Sequence, residues 1–80
     1  MHIKDLFLLD PSVTFLNHGS FGACPEPVMA VYQDWQRRLE RQPVQFLGVE
    51  FAGYMQAARQ ALGEYLNTPA EDLVFIPNAT

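Results

Sequence analysis

Between positions 18 and 24 of the stretch FLNHGSFGACPEP (residues 15–27) lie a histidine, a serine and a cysteine. Those types at that spacing could do nucleophilic chemistry. A Cys24 thiolate activated by His18 needs the two within hydrogen-bond reach and a third group to orient the imidazole. Against that reading, Gly19 and Gly22 allow backbone angles closed to other residues, or the close approach of another group, so the loop is specified in shape. Cys24 stands just before Pro25 and Pro27, where a small buried side chain serves packing. Ser20 reads as a turn hydroxyl bonded to nearby backbone. His18 reads either as a structural histidine with its bonds satisfied or as the wall of an active site. Taken together, these residues favour a shaped loop over a nucleophile and its base.

A second candidate lies at the other end, in Asn78-Ala79-Thr80. A small polar turn after a buried strand is how many α/β proteins begin a helix. Such a helix start collects unpaired N–H groups and the positive end of the helix dipole, and it binds phosphate. The same residues also serve as an ordinary helix cap.

Several elements must position these two candidates. Residues 4–9, KDLFLL, form an apolar arm ended by Asp10-Pro11, with Leu6, Phe7 and Leu9 expected to dock. Residues 13–16, VTFL, suit a short strand. Pro27 suits the first position of a helix over about 27–41, in which Val28, Val31, Tyr32, Trp35 and Leu39 share one face. Pro43 stops it. A second periodic segment spans about 49–66, with Phe51, Met55, Ala58, Leu62 and Tyr65 or Leu66 on one face; Gly53 and Gly63 each weaken it by roughly 1 kcal/mol relative to alanine. Asn67 ends it, and Thr68-Pro69-Ala70-Glu71 has capping-box spacing with room for one turn. Residues 73–76, LVFI, are four apolar residues in a row, as in a strand of a parallel sheet covered on both faces. Trp35, Tyr32 and Phe51 are expected in a core or subunit contact, and Arg59 on a solvated helix face.

Length and composition bound the function. Eighty residues make one small domain at most, and a chain this short hides only about 60% of its unfolded surface. One cysteine excludes an internal disulfide, and His2, His18 and Cys24 lack a zinc-site spacing. With 49% apolar residues, this is material for burial, and a partner surface or further chain is the expected remedy for its size. The net charge of −4 argues against a nucleic-acid partner. Arg37, Arg38 and Arg41 sit near a helix C-terminus, where cations are favoured. No run is long enough to span a membrane, and residues 1–5, MHIKD, lack a secretory layout, so the cytoplasm is the expected compartment. No internal repeat is present.

The stretch FLNHGSFGACPEPVMAVYQDWQRRLERQPVQFL, followed about thirty residues later by LVFIPNAT, resembles the N-terminal part of class V aminotransferase-fold enzymes. It is closer to their isopenicillin N epimerase-like branch than to the cysteine desulfurases. The resemblance implies an α/β parent of aminotransferase fold type I, dependent on pyridoxal phosphate. Such a parent acts on an amino acid or related amine by epimerisation, transamination or carbon–sulfur cleavage, as a homodimer. On that likeness residues 1–80 are a mostly helical N-terminal segment: arm and loop 1–25, two helices, and a strand with the start of a phosphate loop at 73–80. Asn78, Ala79 and Thr80 match the cofactor-binding turn. Asn17, His18 and Gly19 match the segment that folds over the substrate side of the cofactor. The group's cofactor-bearing lysine lies far beyond residue 80, and Lys4 matches no such position, so the eighty residues alone are expected to be inactive. Two other readings stay open: a helical interaction module without cofactor, and a small Cys/His thiol enzyme.

Overall fold

The computed structural model describes residues 2–80, which fall in two compact units, one ending at Arg41 and the other spanning Gln42–Thr80.

In the first unit a 3-10 turn, Ile3–Leu6, is closed by the Asp5 carboxylate, which accepts the His2 backbone N–H at 3.3 Å. Phe7 then forms an isolated antiparallel bridge with Pro25, so the arm docks beside the base of helix α1, Glu26–Arg41. The chain between them returns on itself. Asp10 anchors part of that return, its carboxylate accepting the Ser12 hydroxyl at 2.7 Å and the Ser12 N–H at 2.9 Å. These two bonds favour the ionised form, the hydroxyl more strongly, and hold the Asp10 carboxyl below its ordinary 3.8. Helix α1 begins one residue earlier than expected: the Pro25 carbonyl accepts the Met29 N–H at 3.0 Å, which leaves Pro27 at the second helical position. There too a missing N–H leaves no bond unmade. Arg38 lies over the Trp35 ring at 4.7 Å, and Arg37 pairs with Asp34 at 3.3 Å on the exposed face.

The second unit opens on a consequence of Pro43. Proline excludes its predecessor from the helical region, and Gln42 sits at φ −150°, ψ 78°, which ends α1. Proline also suits a first helical position, so the next helix starts at once as α2, Pro43–Gln45. A π-helical turn, Phe46–Glu50, joins it to α3, Phe51–Leu66. The second helical stretch therefore begins at residue 43, ahead of the expected 49. Glu50 marks the junction, accepting the Tyr54 hydroxyl at 2.6 Å and the Gln45 side-chain amide at 3.4 Å, while the Phe46 and Tyr54 rings lie 5.2 Å apart.

The C-terminus of α3 explains a glycine. Asn67 adopts the left-handed conformation at φ 56°, ψ 47°, Thr68 N–H reaches the Gly63 carbonyl at 2.9 Å, and Asn67 N–H reaches Glu64 at 3.4 Å. This is a Schellman closure with asparagine in the usual glycine position. It brings the Thr68 carbonyl over Gly63, where an added Cβ would lie 2.6 Å away. Gly63 is thus required by the turn. Thr68 does not cap the following 3-10 turn, Ala70–Asp72, whose N-cap is Pro69; its hydroxyl donates to the Leu66 carbonyl at 3.3 Å. Arg59 is half-buried instead of solvated, donating to Gln56 at 2.7 Å and holding its buried Nε without a partner.

Two expectations, the strands, fail for one reason. Residues 13–16 and 73–76 form no strand, and the faces of α1 and α3 are not buried in a core. Among the described residues no hydrophobic side chain is buried, and Gly63 alone falls in the buried class. A strand needs a neighbour to take its N–H and C=O groups, and the described residues supply none for either segment. Leu73 is extended at φ −113°, ψ 140°, and Val74, Phe75 and Ile76 follow it 80%, 45% and 66% exposed. Among the described residues no helix is long and apolar enough to cross a membrane.

Candidate functional site

The loop from residue 17 to 24 is built by short-range bonds around His18. The Ser20 N–H closes a turn on the Asn17 side-chain oxygen at 3.2 Å and on its carbonyl at 3.4 Å. Serine thus contributes its backbone N–H to this turn, where its hydroxyl was the expected group. The Ala23 N–H donates to His18 Nδ1 at 3.2 Å, folding the loop back across five residues. Gly22 permits that return, since a Cβ there would meet the His18 carbonyl at 3.1 Å.

The His18 ring stands edge-on to Phe15, with centroids 4.5 Å apart at 89°, and 6.1 Å from Phe7 at 56°. Two rings and one N–H therefore fix the orientation of an exposed imidazole. Phe7 reaches this place because its bridge to Pro25 brings the arm back to the loop. Sequence reading expected Phe7 to dock without saying where. It missed Ala23 altogether, because a backbone donor leaves no trace in residue type.

Cys24 is exposed rather than packed, and its thiol donates to the Pro25 carbonyl at 3.5 Å. With His18 Nδ1 engaged by Ala23, the arrangement is that of a shaped loop.

The second candidate belongs to the other unit. The Thr80 N–H donates to the Asn78 side-chain oxygen at 2.8 Å, and both residues are exposed. The amide that a phosphate would want is thus taken up locally. Asn78, Ala79 and Thr80 by themselves do not make a phosphate cradle. Nor does the N-terminal arm: the hollow that includes Lys4 is also lined by Asp5 and Asp10, so it carries more negative than positive charge.

The chain is 36% identical over 72 residues to a probable chloroplastic L-cysteine desulfhydrase of Arabidopsis thaliana, a match covering 89% of the chain. It is 35% identical over 69 residues to an L-cysteine desulfhydrase of the same plant, covering 85%. It is 38% identical over 72 residues to the isopenicillin N epimerase of Amycolatopsis lactamdurans, covering 90%. The matched stretch is 15%, 15% and 18% of the length of these relatives, respectively. No family model and no solved structure matches the chain.

Proposed function

The chain is homologous to a part of class V aminotransferase-type enzymes, and from that we propose that it serves as a segment of a pyridoxal-phosphate enzyme acting on an amino acid or related amine. The observation that carries this reading is the alignment of 85–90% of the chain with desulfhydrase and epimerase relatives. The cofactor supplies an electron sink for chemistry at the amino-acid carbon. What these residues supply is shape. Asn17, His18 and Gly19 form part of a substrate-side wall, held by the Ser20 and Ala23 amides. Asn78, Ala79 and Thr80 begin a phosphate-binding turn that further chain must complete. The exposed apolar faces of α1 and α3, and residues 73–76, are surfaces for that further chain or for a second subunit of a homodimer. As four apolar residues in a row, residues 73–76 suit an inner strand of a parallel sheet.

The test compares two hydroxyls in the full-length enzyme. Thr80→Ala is expected to raise the dissociation constant for pyridoxal phosphate about 10-fold or more, since a bond to a charged oxygen is worth roughly 1.5–3 kcal/mol. Ser20→Ala keeps the N–H that closes its turn and is expected to stay within about threefold of the parent, consistent with a contribution well under 1 kcal/mol. Equal dissociation constants for the two variants would remove the phosphate from residues 78–80.

A further inference from the structure

We propose that His18 works as a fixed hydrogen-bond donor to the carboxylate of the amino-acid substrate, with its one ring proton held on Nε2 by the Ala23 amide. The substrate in this statement rests on the function proposed above. The state of the imidazole does not.

A backbone N–H can donate only to a ring nitrogen with a free lone pair. Ala23 donates to Nδ1 at 3.2 Å, so Nδ1 is the unprotonated nitrogen and the proton of the neutral ring resides on Nε2. Phe15 packs edge-on against the ring at 4.5 Å and Phe7 lies at 6.1 Å on the arm, so the ring that accepts the Ala23 bond is flanked by its own unit. The backbone beneath is equally constrained. The Asn17–Ser20 turn precedes it, and Gly22 lies so close to the His18 carbonyl that a Cβ would come within 3.1 Å. The acceptor nitrogen is thus turned inward on its own loop, while the side chain as a whole remains exposed.

The chemistry follows from which nitrogen is left. A neutral imidazole whose lone pair is already engaged has a donor to offer and no base. It is unsuited to taking a proton from a substrate, and well suited to an anionic oxygen, for which an N–H gives a charge-assisted bond. A neutral histidine serving as a donor in an active site is a known physical solution. An amino-acid substrate has one group of that kind, its carboxylate. Ala23 is the positioning residue, acting through its main chain, which explains why a residue with no polar side chain matters here.

Two measurements on the full-length enzyme test the proposal. With nitrogen-15 labelling, a scalar coupling through the hydrogen bond is expected between the Ala23 amide nitrogen and His18 Nδ1. Its absence, with a proton found on Nδ1, overturns the proposal whatever the enzyme does. The second measurement sets His18→Ala beside His18→Gln, whose side-chain N–H still donates. His18→Ala is expected to raise both KM for the amino acid and the calorimetric Kd of a non-reacting carboxylate analogue about 10-fold or more, with kcat within about twofold. His18→Gln is expected to recover both to within about threefold. If His18→Gln instead loses kcat by about 100-fold or more, as His18→Ala then would, His18 is a base and the proposal fails. It fails also if neither variant changes KM or Kd. Should the purified enzyme hold no pyridoxal phosphate, the proposed function fails separately, and the coupling still decides where the proton is.

Discussion

Heated in isolation, the eighty-residue chain is expected to lose its helical signal gradually, without a sharp cooperative transition. Cooperative melting requires side chains that are buried together and lost together. Among the described residues no hydrophobic side chain is buried, and Leu16, Phe21 and Tyr65 are each about 85% exposed. Every such residue forgoes roughly 1.5–3 kcal/mol that full burial would contribute. Helix α1 is expected to outlast α3, which carries Gly53 in its interior at about 1 kcal/mol relative to alanine. Circular dichroism and calorimetry over a range of concentrations check this. A steep transition at high temperature, unchanged by dilution, would show a self-sufficient domain and contradict the reading of these faces as surfaces for further chain.

The second large effect separates two glycines of the same helix. Gly53→Ala meets nothing within 4 Å and is expected to stabilise α3 by up to about 1 kcal/mol. Gly63→Ala drives a methyl group to within 2.6 Å of the Thr68 carbonyl, and that contact is with backbone, which cannot swing aside. The closure Thr68 N–H to Gly63 must open or α3 must unwind by a turn, at about 1–3 kcal/mol. Hydrogen exchange at the Thr68 amide is the readout. Gly63→Ala is expected to accelerate it about 5- to 150-fold, and Gly53→Ala to leave it unchanged or slow it. Equal behaviour of the two variants would mean that the turn does not depend on Gly63.

These two glycines also mark what the sequence allowed to be read. Spacing placed the body of α1, and residue type placed its end at Pro43 and the end of α3 at Asn67, because proline and asparagine act on the backbone locally. Spacing treated Gly53 and Gly63 alike, since their difference is made by a carbonyl five residues downstream. The π turn at Phe46–Glu50 was missed, although Glu50 and Tyr54 stand four apart, a spacing at which helical side chains meet. The strands at 13–16 and 73–76 were expected from β-branched, aromatic and apolar runs. Such runs state what a segment would do beside a partner, and no partner strand is present among the described residues. In the candidate site Gly19 and Gly22 pointed to a shaped loop. Which atom of His18 is engaged, and by whom, depends on the Ala23 main chain and could be seen only in the fold.

On the function proposed above, these eighty residues furnish a wall and the start of a phosphate turn, and not the amine that carries the cofactor. Borohydride trapping of the isolated chain with pyridoxal phosphate, followed by peptide mapping across a cofactor titration, addresses this claim directly. A reactive lysine needs a dry, shaped pocket that lowers the cost of its neutral form. Lys4 is exposed on a 3-10 turn, in a hollow where Asp5 and the ionised Asp10 repel a phosphate dianion. The α-amine of Met1, the other candidate for a weak adduct, lies outside the described residues. The expected result is sparse labelling that rises in proportion to cofactor without saturating and survives unfolding. Saturable labelling of Lys4 at micromolar cofactor, abolished by unfolding, would show a complete cofactor pocket within the eighty residues and contradict the claim.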